Sequence, residues 1–266
     1  MPEMLLTVSI VQYDTDPGVL ARTLHSLEGA ARNAGLSAEQ VGITLVDNGG
    51  QMTRDSLQRM LDWPIDFRQG HGNIGYGQGH NLAADRVGRF HLILNPDVDI
   101  APDAIANALA FFEAHPECGL ITPKAHTPAG ERQRLARRYP NIMDMALRGF
   151  APPWLRERFR SRLNRNDYVG ELEEDVAWDP VLISGCFMFL RGELWKQVRG
   201  FDPRFFLYFE DSDLTLRCAR LSRCAYVPSV RIVHHGGGAA EKGWKHIRLY
   251  TLSAARFFNK HGWRLK

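Results

Sequence analysis

The sequence predicts an α/β protein, a mainly parallel sheet flanked by helices. Three observations carry that expectation. Through residues 1–125, short apolar, β-branched runs alternate with segments of helical period, the pattern of a parallel sheet with helices on both faces. The runs lack polar alternation, as strands buried on both sides do. Polar clusters, Asp47-Asn48 and Asp97 with Asp99, stand where successive strands end, and such sheets bind ligands beyond those ends.

Leu5–Gln12 (LLTVSIVQ) reads as the first strand. Asp16-Pro17 opens a helix, with Asp as the cap and Pro in the first position. Leu20, Leu24 and Leu27 mark its buried face and Gly35 its stop. Val41–Val46 is a second strand, running into the turn residues Asp47-Asn48-Gly49-Gly50. A short helix over Asp55–Leu61, a strand over Ile65–Arg68, a helix over Asn81–Val87 and a strand over His91–Leu94 follow. Pro102–His115 is helical and Cys118–Thr122 extended. Beyond about residue 125 the alternation breaks in an Arg-rich stretch holding Pro140, Pro152 and Pro153. It resumes with a strand at Pro180–Leu190, helices at Gly192–Val198 and Asp211–Arg220, a short strand at Ala225–Val227 and a helix at Lys245–His261. The expected division is 1–125 and 126–266 as two halves of one domain.

With 266 residues, 44% hydrophobic and 24% charged, the chain can bury one large core. This excludes a disordered chain, a collagen and a small disulfide scaffold. Apolar runs such as Val181–Ile183 and Cys186–Leu190 fall far short of the ~20 residues of a membrane helix. Glu3 precedes only a short apolar stretch, unlike a secretory signal, so a cytoplasmic location is expected. Four cysteines without a C-x-x-C pair read as buried free thiols. Between Glu131 and Arg165 ten Arg face three acids, a balance of +7. Asp167–Asp179 answers with six acids and no Lys or Arg. The basic block, interleaved with Met143, Leu147 and Trp154, either faces an anionic inner-membrane surface or pairs with that acidic run.

Gly70-His71-Gly72-Asn73-Ile74-Gly75 matches the dinucleotide fingerprint G-x-G-x-x-G, with Asp97 following at roughly the ribose-binding distance. The weak preceding strand, the further Gly77 and Gly79, and the clustering of Asp97 with Asp99 argue against that use. A loop that lets backbone approach a ligand fits better. In an extended Asp97-Val98-Asp99, both carboxylates lie on one side and repel unless a cation stands beside them; a solvated turn is the alternative. Glu210-Asp211-Ser212-Asp213, behind Phe205, Phe206, Tyr208 and Phe209, offers a general base at a helix start, or merely a capping cluster. His234-His235, opening a glycine triplet, offers imidazole to a metal or phosphate, or is structural.

Taken in order, seven segments resemble the family 2 inverting glycosyltransferases of the GT-A, Rossmann-like fold, especially the rhamnosyltransferase-like branch. They are Val8–Tyr13, Val46-Asp47-Asn48, Asn73 through Asn81, Asn95 through Asp99, Ser184 through Met188, Gly200 through Asp213, and His234 through Gly237. The resemblance implies a nucleotide-sugar site at Gln12, Asp47, Asn73, Gly75, Tyr76, Asn81 and Asp97. It implies Mg²⁺ or Mn²⁺ held by Asp99, Asp97 and His234, with His235 the alternative. It implies Asp211 as catalytic base with Glu210 the runner-up, and a C-terminal acceptor-binding part at Gly185, Cys186 and Asp213. The implied reaction moves a sugar, L-rhamnose from dTDP-rhamnose, to a hydroxyl of a cell-surface glycan or lipid-linked acceptor such as lipopolysaccharide; no nucleic acid is involved. A non-catalytic carbohydrate- or nucleotide-binding protein is the alternative, but the five acids such a protein would lose are present. A sugar nucleotidyltransferase ranks lower still, because Val11-Gln12-Tyr13-Asp14 replaces its Gly-rich, basic loop. The chain departs from the family at Gly49-Gly50 and at Ala239-Ala240, positions bearing on nucleotide preference and phosphate contacts.

Overall fold

The structure is a computed structural model that describes residues 4–83, 86–168, 172–236 and 243–263. Strand β1 (Leu6–Gln12) is buried along its whole length. Helix α1 (Pro17–Asn33) returns antiparallel to it, its first turn fixed by Asp16, whose carboxylate accepts from Val19 N at 3.0 Å. β2 (Val41–Asp47) pairs parallel with β1 from Leu6↔Val41 to Gln12↔Asp47, which brings Gln12 and Asp47 side by side. β3 (Ile65–Arg68) extends the sheet beyond β2, and β4 (Phe90–Leu94) pairs parallel with β1 on its other flank. Strand order therefore reverses between β1 and β4, and a crevice opens there at the carboxyl ends. Between these strands lie α2 (Arg54–Gln58) and α3 (Tyr76–Leu82).

Most later strands complete the same sheet, while residues 136–137 and 182–183 pair apart from it as a separate two-stranded sheet. β6 (Cys118–His126) follows α4 (Ala104–Ala114), and β11 (Phe187–Arg191) inserts antiparallel between β4 and β6. β12 (Arg223–His234) runs parallel to β6, and β5 (Val98–Ile100) pairs antiparallel with its far end. The order is β3-β2-β1-β4-β11-β6-β12-β5. Residues 98–100 thus lie against residues 232–234, far apart in sequence but adjacent in the sheet.

Period-2 alternation explains the uninterrupted apolar runs. Leu92, Leu94, Phe187 and Phe189 face one core layer with Leu20, Leu24, Ile105 and Phe112 from α1 and α4. Ile93, Met188 and Leu190 face the other, with Trp195, Phe201 and Leu214. Trp195 belongs to α8 (Gly192–Val198) and Leu214 to α9 (Glu210–Cys218). The four cysteines are buried free thiols.

Three sequence expectations need correction. The helix placed at Asn81–Val87 spans Tyr76–Leu82 instead. Gly77 and Gly79 lie inside it because the helix packs directly on Phe201 and Val11, whose side chains would stand 2.8 Å from an added Cβ. The strand placed at Pro180–Leu190 is broken into β10 (Leu182–Ile183) and β11 by Ser184-Gly185-Cys186, which turns toward the site. The short strand at Ala225–Val227 is the start of twelve-residue β12, continuing through a register shift. The Arg-rich stretch carries regular structure: β7 (Arg132–Gln133), β8 (Ala136–Arg137), α5 (Ile142–Phe150), α6 (Pro153–Arg158) and α7 (Arg160–Asn166).

That stretch also reaches the acidic run. Arg132 bonds Glu173 at 2.6 Å, and Arg134 and Arg137 lie 3.8 Å from Glu173 and Asp167. Arg162 instead meets Asp144 at 2.5 Å. Helix α10 (Gly243–His261) closes the described chain, packing Phe257 and Phe258 on Phe205 and Phe209. Among the described residues no helix is long and apolar enough to cross a membrane.

Candidate active site

The carboxyl ends of β1 and β2 form the first wall. Asp47 is almost fully buried, and its carboxylate accepts from the amide of Gln12 and from the backbone N–H of Gly49, Gly50 and Met52 at 2.8–3.1 Å. Gln12 is buried beside it and accepts from Thr15 N. This pair shapes the turn Asp47–Met52, where the Gly49-Gly50 departure sits: both glycine N–H groups serve Asp47. Asn48 donates to Gly75 O at 3.0 Å and ties that turn to the Gly-rich loop.

Asn73 accepts from Gly75 N at 3.0 Å, a local turn. Gly75 has φ +88 and begins α3, and a side chain there would collide with the Phe206 carbonyl. Only glycine meets both demands. The loop's glycines from Gly75 onward therefore let protein segments approach one another. Asn81 does similar work: it clamps Phe201, donating to its O and accepting from its N, both at 2.8 Å.

The second wall gathers around the peptide units of Gly185 and Cys186. Gly185 N donates to Asp211 Oδ2 at 2.9 Å, and Tyr76 donates its hydroxyl to Gly185 O at 2.6 Å. Asn95 N donates to Cys186 O at 2.9 Å, fixing the segment that leads to Asp97. Burial, then the charges of Cys186, Glu210, Asp211 and Asp97, push the Tyr76 phenol well above its ordinary range. The Cys186 thiol is pushed up to about 12 by burial, so it is no nucleophile. Tyr208 and Phe209 both occupy the left-handed region, at φ 70 and 64, directly before α9. Strain of this kind, about 1–3 kcal/mol per residue, persists only where surrounding contacts impose it. Here it turns Glu210 and Asp211 toward a cavity of about 240 Å³, also lined by Arg137, Met145, Ser184 and Tyr250.

Glu210 is 5% exposed, and burial, reinforced by Asp211, holds its carboxyl well above the usual range. Asp213 faces elsewhere. It is fully buried, its oxygens meeting Lys260 at 2.6 Å, His261 at 2.7 Å and Arg217 at 2.8 Å. The structure places it in a brace between α9 and α10, outside the cavity lining.

The third wall is the β5–β12 junction. His235 N donates to Asp97 O at 2.9 Å. His235 Nε2 stands 2.7 Å from Asp99 Oδ2, and His234 Nε2 3.4 Å from Asp97 Oδ1. Burial pushes the Asp97 carboxyl up, but His234, the backbone and Asn95 outweigh it and hold the group below the usual carboxylate range. Asp97 Oδ1 and Asp99 Oδ1 are buried without a hydrogen-bond partner. Gly237 and Ala239-Ala240 lie outside the described residues.

No protein-family model matches the chain. It is 27% identical over 246 residues, 87% of this chain and 76% of the other, to an N-acetylglucosaminyl-diphospho-decaprenol L-rhamnosyltransferase of Mycobacterium tuberculosis. To the rhamnosyltransferase WbbL of Escherichia coli it is 25% identical over 64% of each chain. Its fold is that of GalNAc-T7, crystallised with UDP, GalNAc and Mn²⁺, at TM-score 0.64 and 14% identity. It is also that of S. aureus TarS 1-349, at TM-score 0.57 and 16% identity. The chain spans 48% of the GalNAc-T7 chain and 66% of that TarS chain, while 97% and 96% of it is matched. The chain is a glycosyltransferase of the GT-A fold.

In this glycosyltransferase the two unpartnered carboxylate oxygens are hard donors of the kind Mg²⁺ and Mn²⁺ take, and the nearby imidazole is a softer, borderline donor beside them. Among the described residues no three such side chains form a ready-made cage. That suits an ion bound by one or two carboxylates together with substrate phosphates, so the residues present fit the group. Arg137 and Met145, from the Arg-rich block, line the cavity's far side; sequence reasoning singled out neither Tyr250 there nor Gln133, which contacts His234. None of these lies in a local motif; they reach the site only through the fold.

Proposed function

We propose that this glycosyltransferase is a metal-dependent, inverting enzyme that moves L-rhamnose from dTDP-rhamnose to a hydroxyl of a glycan or lipid-linked acceptor. One observation carries the mechanism. The Gly185–Cys186 segment holds Asp211 through Gly185 N–H and, through Cys186 O, the backbone leading to Asp97. A base and a diphosphate-side carboxylate are thereby set on one rigid piece of chain. Asp211 Oδ2, fixed by Gly185 N–H at the cavity wall, takes the proton from the acceptor hydroxyl as it attacks the anomeric carbon. Glu210, whose charged form burial disfavours, places less negative charge beside it. Single displacement from the face opposite the leaving group inverts the centre, and no covalent nucleophile is required.

Asp97, Asp99 and His234 would hold the divalent ion. When bound, it supplies Lewis-acid neutralisation of the departing diphosphate. Gln12, Asp47 and Asn48 shape the turn against which the nucleoside lies. Residues 1–125 thus serve the donor, and Gly185, Cys186 and the later cavity residues serve the acceptor. The similarity to the two rhamnosyltransferases supports the donor sugar, and the name of the mycobacterial relative supports a diphospholipid acceptor. Trp154, 69% exposed, with the exposed Arg156 and Arg158 of α6, supports a peripheral seat on an anionic membrane face.

The test is nucleoside diphosphate release from dTDP-rhamnose, UDP-glucose and UDP-N-acetylglucosamine, with Mn²⁺ or with chelator. Metal-dependent release of dTDP is the expected result. Release from UDP sugars alone overturns the donor, and equal release in chelator overturns the metal.

A further inference from the structure

We propose that Gln133 is a positioning residue that fixes the His234 ring with its hydrogen on Nδ1, leaving Nε2 to face the Asp97 carboxylate as a ligand. The inference deepens the reading of Asp97, Asp99 and His234 as a metal site and rests on it. Gln133 belongs to β7, which pairs with β6 at Ala125↔Gln133, and β6 in turn lies beside β12. This places its amide under the end of β12, where His234 and Gly236 sit.

The amide's orientation follows from its partners. Gln133 Nε2 donates to His234 O at 3.2 Å and Gly236 O at 3.0 Å. Both partners are carbonyl oxygens, which only accept, so the nitrogen must face them. The amide oxygen is then turned to the ring, 2.8 Å from His234 Nδ1. An amide oxygen also only accepts, so Nδ1 must carry hydrogen. In the neutral ring the lone pair is therefore on Nε2, 3.4 Å from Asp97 Oδ1, an oxygen with no hydrogen-bond partner. Two electron-pair donors facing one point form the complement of a cation. Metal-binding histidines commonly donate their other ring N–H to an oxygen in this way, which fixes the tautomer and raises ligand basicity.

The same geometry separates the two histidines. His235 Nε2 is 2.7 Å from Asp99 Oδ2, within hydrogen-bond reach, so that ring steadies Asp99. His234 is the one whose outward nitrogen is set free by a partner behind it. A side chain at Gly236 would collide with Asp97 and stand 3.0 Å from His234 Nε2, so a glycine keeps this space open.

The test compares wild type with Gln133→Leu, which removes both functions of the amide, and Gln133→Glu, which keeps an acceptor for Nδ1–H. Ring-nitrogen NMR of metal-free protein in mildly alkaline buffer reads the tautomer directly, with the His234 signal assigned by its loss in His234→Gln. The expected result is hydrogen on Nδ1 in wild type and Gln133→Glu, and on Nε2 in Gln133→Leu. Titration with Mn²⁺ and dTDP should show binding weakened ~10–100-fold in Gln133→Leu, the usual scale for losing such a partner, with partial recovery in Gln133→Glu. Hydrogen on Nε2 in wild type overturns the proposal, as does a Gln133→Leu protein with unchanged tautomer and Mn²⁺ affinity. If Gln133→Leu does not fold, the wild-type tautomer and the Gln133→Glu titration still decide. Should wild type bind no Mn²⁺ while its ring carries hydrogen on Nδ1, the metal reading fails separately from the tautomer assignment.

Discussion

Replacing Asp211 by Asn removes a proton acceptor and keeps one of two backbone anchors, because the amide nitrogen takes the place of Oδ1, which accepts from Ser212 N at 2.6 Å. The Asn side-chain oxygen can still accept from Gly185 N, now 2.9 Å from Asp211 Oδ2, so the Ser184-Gly185-Cys186 turn keeps its anchor. What is lost is basicity. General-base catalysis contributes about 10²–10⁴ in rate, and at ~1.36 kcal/mol per decade the barrier rises by ~2.7–5.5 kcal/mol. Asp211→Ala differs instructively, because it also strands the Gly185 N–H, a loss of about 1–3 kcal/mol in stability. The assay is initial-rate release of nucleoside diphosphate at saturating acceptor, with donor affinity measured separately by calorimetry. For Asp211→Asn, kcat should fall at least ~10²-fold while donor affinity stays within about 2-fold. Turnover within ~3-fold of wild type refutes the base assignment, and a loss confined to donor affinity makes Asp211 a binding residue.

Three further outcomes follow from the geometry. Burial raises the Glu210 pKa, so the folded protein holds a proton that the unfolded chain has lost, and stability falls as pH rises from about 4.5 through the folded value. Glu210→Gln lacks this penalty, so its Tm relative to wild type should climb across that window; a flat or falling difference refutes it. Gly75→Ala puts a side chain at φ +88 and against the Phe206 carbonyl, and should lower stability by at least ~1–2 kcal/mol, read as a lower Tm; an unchanged Tm removes the close-approach argument. Replacing Arg156 and Arg158 by Ser should weaken flotation with anionic vesicles, most clearly at low salt, and absence of any preference for anionic over neutral vesicles in wild type ends the membrane reading.

Much of the fold was legible because parallel strands buried on both faces are written as continuous apolar runs. Val8, Ile10, Leu92 and Phe189 announce their strands without help from context. The Asp16-Pro17 cap announced α1 for a local reason as well. What sequence could not show was pairing between distant segments. Nothing near Val98 says that it will lie against His234, yet that pairing assembles the third wall. The glycines misled in a specific way. Gly77 and Gly79 look like loop residues, but they sit inside α3 because Phe201 and Val11 press against it, partners about 120 and 70 positions away in sequence. In the Arg-rich stretch, charge masked short elements whose apolar faces are only a few residues wide, and the acidic run that answers part of that charge lies across the fold.

The carboxylates sort themselves by what already satisfies them. Asp47 is met by three backbone N–H groups and an amide, Asp213 by Arg217, Lys260 and the His261 ring. Groups so fully engaged hold turns and braces, and pulling them toward a substrate would sacrifice several hydrogen bonds at once. Asp97, Asp99 and Glu210 differ, for each keeps a buried oxygen without a hydrogen-bond partner. Such an oxygen costs about 1–3 kcal/mol to maintain, a cost that a ligand or a proton can relieve. At Glu210 the relief is a proton, which is why burial raises its pKa. At Asp97 the balance goes the opposite way, and its polar surroundings hold the carboxyl below the usual carboxylate range. The first choice limits the negative charge placed beside Asp211, and the second suits a group that must meet positive charge. Both lie within the reach of Tyr76, whose phenol feels Asp97, Glu210 and Asp211 together. That shared influence links the β5–β12 junction with the start of α9.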